Sequence, residues 1–227
     1  PSGFTSQVAG ELAEDAFKVR KIVPKSHRKA TKVMCRDTEL AVGASMLAVA
    51  SAGLATAGTG DAPPTLQPNR VGCHIGAGLI AADVNELGAA LVTSKKEDGA
   101  FDLAHWGSEG MQNLTPLWLL KYLPNMLACH ITIVHDCQGP SNDITCCEAA
   151  SALSIAESRR VIQRGDADAC LSGGAEDRVN PLALYRQHCT GRLADSDGSG
   201  DMSSLVQPFS EHATGTVIGE GGGIMIV

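Results

Sequence analysis

Three adjacent side chains, Cys146, Cys147 and Glu148, could do chemistry if the chain aims them at a ligand. A thiol is a candidate nucleophile, and a helix N-terminus beside it is a natural site for an anion or an oxyanion. A carboxylate in the same place is stabilised as the anion, because the positive end of a helix dipole favours negative charge. Everything therefore depends on the elements around these three residues.

The surrounding stretch, Gln138 to Glu176, reads as turn, strand, helix, strand. Gly139-Pro140-Ser141 is a turn, and Asp143 to Cys146 is a short strand with the β-branched pair Ile144 and Thr145. From Ala149 the apolar residues recur at Ala149, Ala152, Leu153 and Ala156, the spacing of one helical face. Arg159, Arg160 and Arg164 crowd the last turn and Gly165 can close it, so the helix is expected over 149–164 as the most buried helix of the fold. Asp168 to Ser172 is the next strand, ended by Gly173-Gly174. The plainest reading of this stretch is an ordinary βαβ unit with buried cysteines.

The rest of the chain fits an α/β protein. Thr38 to Ala57 reads as an Ala-rich buried helix and Arg70 to Ile75 as a strand entering Gly76-Ala77-Gly78. Asp83 to Val92 reads as a helix, Lys95 to Gly110 as a polar loop, and Pro116 to Met126 as helical until Pro124 interrupts it. Ile131 to Val134 has the composition of a strand. Pro181 to His188 is a short helix, Asp195 to Ser204 a polar loop, and Gly215 to Val227 a Gly-interrupted strand. Neither GAG nor GEGGG carries the rest of a nucleotide-binding fingerprint, so no cofactor is expected. His130, His135, Cys129 and Cys137 lie close in sequence, but their spacing fits no structural zinc pattern, and no metal is expected.

Composition narrows the class. The 227 residues are 44% hydrophobic with 25 Gly, and the net charge is −7. No basic run longer than a pair follows Lys29, which argues against nucleic acid and against a membrane surface. No apolar run reaches the about 20 residues of a membrane helix, and nothing resembles a signal peptide. Eight Cys without a CxxC pair read as reduced thiols of a cytoplasmic protein. The chain starts at Pro1 and stops in Ile224-Met225-Ile226-Val227. Residues 1–227 are therefore expected to be one domain truncated at both ends.

A set of short motifs now falls into order: LPNM (Leu123–Met126), GPS (Gly139–Ser141), the Thr-Cys-Cys-Glu junction, RGDAD (Arg164–Asp168), GGAE (Gly173–Glu176), NPL (Asn180–Leu182), QPF (Gln207–Phe209) and GEGGG (Gly219–Gly223). Together they resemble the N-terminal half of the β-ketoacyl-[acyl-carrier-protein] synthase family. The resemblance implies a thiolase-type fold of α/β/α/β/α layers, fatty acid or polyketide biosynthesis, and an acyl carrier protein as partner. It also implies a dimer through the strand leading to the nucleophile, Asn142 to Cys146, either with itself or with an active ketosynthase subunit.

In that family a Cys at the start of the buried helix accepts the acyl chain. Spacing forward from GPS and backward from RGDAD lands without a gap on Glu148, so Glu148 is expected at the nucleophile position. Cys147, one residue earlier, is the alternative nucleophile. The expectation is that Glu148 faces the pocket and Cys147 points away into the protein. Further departures are Thr216, where members usually carry Phe, and Ser210 and Ala213, in place of an Asp and an Arg. The pattern is similar to chain-length factors, which lack the nucleophile and pair with an active partner, although those usually carry Gln. Two functions follow: a non-condensing, chain-length-factor-like subunit, or an active 3-oxoacyl synthase that acylates Cys147 and condenses with malonyl-ACP. Decarboxylation without condensation is disfavoured, because an anionic Glu148 would repel a malonyl carboxylate.

Overall fold

The computed structural model describes residues 3–13, 15–196, 198–199 and 202–227. Its elements, in chain order, are β1 (Ala9–Gly10), α1 (Val19–Ile22), α2 (Arg36–Ser51), β2 (Val71–Gly76), α3 (Val84–Thr93), α4 (Leu103–Ser108), α5 (Met126–His135), β3 (Ser141–Ile144), α6 (Ala150–Gln163), β4 (Ala169–Asp177), α7 (Pro181–Cys189) and β5 (Ile218–Ile226). The chain packs as two compact units. One comprises Leu12–Ile80, Leu119–Asp177 and Glu220–Val227, and the other Pro1–Glu11, Ala81–Trp118 and Arg178–Gly219.

The first unit is a mixed α/β sheet with helices on both faces, as expected for the fold class. Strand β2 lies between β3 and β4 and runs parallel to both, and β5 adds antiparallel to β4. Strand β2 is buried along its whole length, as a central parallel strand must be. Its register with β4 pairs Gly72 with Cys170 and Cys73 with Leu171, so successive residues face opposite sides. Cys73, Ile75 and Leu171 join Leu40, Val42 and Ile131 in the main core, which places α2 and α5 on that face. Cys170 joins Val161 and Ala167, which places α6 on the other.

In the second unit, β1 pairs parallel with Ile218 and Gly219 at the start of β5. Helix α7 is capped by Asn180, whose side chain accepts from the Ala183 amide at 2.9 Å.

Four local expectations need correction. Ile131 to Val134 is not a strand but part of α5. The buried residues Leu127, Ala128, Ile131, Val134 and His135 recur at helical spacing while Ile133 is exposed; burial of one helical face outweighs the β-branched composition. The 95–110 loop contains α4, whose first-turn amides at Ala104 and His105 are taken by the Asp102 carboxylate at 2.9 and 3.1 Å. The 116–126 stretch forms only a short 3-10 turn over Trp118–Tyr122 before α5 begins. Finally, α6 is not the most buried helix. It buries Ala150, Ser154, Ser158 and Val161 along one stripe, whereas α2 buries eight residues and α5 six. The opposite side of α6 is exposed, with Leu153 at 40%. The polar loop read over 195–204 lies partly outside the described residues.

Candidate active site at the start of helix α6

Strand β2 ends at Gly76, which lies in register beside Gly174 within β4. A Cβ on Gly76 would land on the backbone of Ser151 and Ala150, and one on Gly174 would strike the Ser151 hydroxyl and the Gly76 carbonyl. The missing side chains therefore let the N-terminus of α6 rest directly on the sheet. Ser154 fastens it, its hydroxyl donating to the Gly173 carbonyl at 2.9 Å. Gly173 itself has φ +151°, and a Cβ there would meet the Gly223 carbonyl of β5, so this crossing of strands needs glycine.

In front of this junction is a cavity of about 250 Å³. Its walls are Gly76–Gly78 after β2, Gly174–Glu176 of β4, Gly221–Gly223 of β5, and Cys147, Ala150 and Ser151 at the head of α6. The Glu176 carboxyl group packs against Gly78, where a Cβ would collide with it.

Between β3 and α6 the chain turns sharply. Cys146 has φ −145° and ψ +47°, Cys147 has φ +48°, and a 3-10 turn over Cys147–Ala149 leads into the helix. Neither Cys146 nor Ala149 caps the following amides with its side chain. Glu148 sits in the first turn and is exposed. Its carboxylate is the charge that end of a helix favours.

The structure brings both candidate site residues to the head of α6 but corrects their expected orientations. Cys147 does not point into the protein: it is exposed and lines the cavity. Glu148 is exposed and is not among the lining residues. The expectation assumed an extended strand running straight into the helix, which opposes successive side chains. The two side chains do diverge, but in the reverse sense: the left-handed φ of Cys147 breaks the strand geometry just before the helix, and it is Cys147 that reaches the cavity. A left-handed cysteine has no signature in sequence. Glu176 was quoted only as part of a motif; its place on the wall follows from the parallel register of β2 and β4.

The four residues near α5 considered for a metal are placed otherwise. His135 is buried between the Ser45 and Thr56 hydroxyls at 3.1 and 2.8 Å, and burial pushes its pKa down to about 4. Cys137 is buried, with its thiol pushed up to about 12 chiefly by desolvation. Among the described residues no group of three or more His, Cys, Asp or Glu could hold a metal ion.

Comparison with known proteins gives the family and the fold. The family model described as "Beta-ketoacyl synthase, N-terminal domain" matches residues 2–227. The 3-oxoacyl-[acyl-carrier-protein] synthase 2 of Staphylococcus aureus is 27% identical over 226 residues, which are 99% of this chain and 48% of that protein. A β-ketoacyl synthase from Burkholderia phymatum shares the fold with a TM-score of 0.73 at 23% identity, over 98% of this chain and 48% of its own. So does a chain of the ishigamide ketosynthase/chain length factor, with a TM-score of 0.65 at 21% identity over 99% and 48%. The chain thus spans about half the length of the relatives it matches. On the match that covers residues 2–227, the chain belongs to the β-ketoacyl synthase family and carries its N-terminal domain.

Proposed function

We propose that this chain forms part of a ketosynthase-like subunit of fatty acid or polyketide biosynthesis that shapes an acyl pocket without condensing. In this reading Glu148 holds the place where condensing relatives hold their acyl-accepting thiol. The observation that carries the reading is the exposed carboxylate in the first turn at the head of α6, reached without a gap from Gly139 and from Gly165. An ionised carboxylate there is a weak nucleophile toward a thioester, and the mixed anhydride it would form is short-lived in water. Such a subunit needs an active ketosynthase beside it, as chain-length factors do, and a carrier protein to deliver the chain. The pairing surface in this proposal is the outer edge of β3, the strand that leads to the site. Eight free cysteines support a reducing compartment, the cytoplasm.

A second reading is favoured by one observation: Cys147, not Glu148, lines the cavity. There Cys147 would take the acyl group and the protein would condense it with malonyl-ACP.

Replacement of Glu148 by Cys separates the two. Under the first reading E148C gains a thiol that an acyl-carrier thioester acylates, seen by peptide mass mapping. Failure of E148C to gain an adduct, with Cys147 acylated in the same sample, would favour the second.

A further inference from the structure

Cys146 and Cys147 are both exposed and consecutive, whereas Cys35, Cys73, Cys137 and Cys170 are buried. Cys129 is partly covered and Cys189 is exposed, but neither has a cysteine next to it in sequence. In an extended strand consecutive side chains point to opposite faces, and two such thiols could not meet. Here the two dihedrals flanking their shared peptide are ψ +47° at Cys146 and φ +48° at Cys147. Both are far from extended values, so the two Cα–Cβ bonds are no longer opposed. Cys147 lines the 250 Å³ cavity, which gives a small oxidant an approach.

We infer that Cys146 and Cys147 form a redox-active vicinal dithiol, a modification site that a hydroperoxide closes to a disulfide. The inference stands whichever residue holds the nucleophile position. In the first step one cysteine sulfur attacks the hydroperoxide. An S–O bond forms, the O–O bond breaks, and the alcohol (water, from hydrogen peroxide) departs with the thiol proton. In the second step the neighbouring sulfur displaces hydroxide from the sulfenic acid. The S–S bond forms, and water leaves with the second proton. Two electrons pass from the sulfur pair to the peroxide.

The product is expected to be easily reversed. Cα atoms of consecutive residues are about 3.8 Å apart, short of the about 4.4–6.8 Å an ordinary disulfide spans. The eight-membered ring is therefore strained, and strained disulfides are reduced readily. Closure also commits the Cys147 sulfur to Cys146 and changes the wall of the cavity.

The test treats the reduced protein with hydrogen peroxide, alkylates remaining thiols with iodoacetamide, and maps peptides by mass spectrometry. The peptide holding both cysteines is expected to lose two hydrogens, to take up no alkyl group, and to regain both alkylation sites after a phosphine reductant. Cys146→Ser and Cys147→Ser should each abolish that species while keeping the far-ultraviolet circular dichroism of the parent. Phenylarsine oxide, which needs two thiols on one arsenic, should be retained by the parent and lose about tenfold or more of its affinity in either variant. Oxidation that leaves one cysteine as a sulfinic acid and the other alkylatable would overturn the inference. So would arsenical retention unchanged by either serine.

Discussion

At the scale of residues, the candidate site depends on a turn that sequence pattern alone could not resolve. The GPS and RGDAD motifs bracket the junction in sequence as β3 and α6 bracket it in the fold. It could not report that Cys147 adopts a left-handed backbone, since non-glycine residues enter that region rarely and leave no pattern when they do. A half-buried carboxylate was equally hidden. Asp143 of β3 reaches across to α5, where it accepts from the Ala128 amide at 3.4 Å, and burial raises its pKa to about 7. Cys73 of β2 lies close enough to feel its charge. The folded state therefore binds more protons at Asp143 than the unfolded chain between about pH 4 and 7, and this group's contribution to stability declines as pH rises through that window. Asp143→Asn keeps an acceptor for Ala128 without a charge. Its stability relative to the parent should rise with pH, toward a gain of about 4 kcal/mol at pH 8, and the difference should vanish near pH 4. Urea denaturation of both proteins across that range measures the difference, in which the other titrating groups cancel.

At the scale of elements, what could be read was what periodicity controls. The apolar recurrence in 38–57, the run 70–75 and the 149–164 pattern foretold α2 (Arg36–Ser51), β2 (Val71–Gly76) and α6 (Ala150–Gln163), the first read six residues too long at its C-terminal end. Ile131 to Val134 was misread because β-branched composition is a weak signal once one face of a segment is buried. The small residues of α6 were legible as a pattern, but their purpose was not. The head of α6 rests on Gly76 of β2 and on Gly173 and Gly174 within β4, and that complementarity exists only once the sheet has formed. Gly76→Ala tests it. The new Cβ would meet the main chain of Ser151 and Ala150, the latter at 2.6 Å, and main chain cannot rotate away. A loss of about 3 kcal/mol is expected in equilibrium unfolding. Gly88→Ala in α3 meets nothing within 4 Å and should be neutral or stabilising by up to about 1 kcal/mol.

At the scale of the whole molecule, the exposed edge of β3 bears on assembly. The carbonyls of Pro140 and Ile144 accept from the amides of Cys73 in β2 and of Ala77 just after it. By strand alternation the amides of Ser141 and Asp143 point outward, to the side where no strand pairs with β3 among the described residues. If the proposed dimer pairs along this edge, Ser141→Pro removes one outward donor and spares the ladder to β2. Light scattering with sedimentation should then show association weakened toward monomer, with the circular dichroism unchanged; an unaltered dimer would place the contact elsewhere. Among the described residues no helix is long and apolar enough to cross a membrane.

The proposed role comes down to what happens at residues 146 to 148 when an acyl chain is offered. Incubation of the protein with an acyl-carrier thioester, followed by peptide mapping, reads it directly. The account predicts no acyl group on Cys146 or Cys147 in the parent and a new one on residue 148 in E148C. Selective acylation of Cys147 in the parent, abolished by Cys147→Ala and indifferent to Glu148→Ala, would contradict it and make this a condensing enzyme.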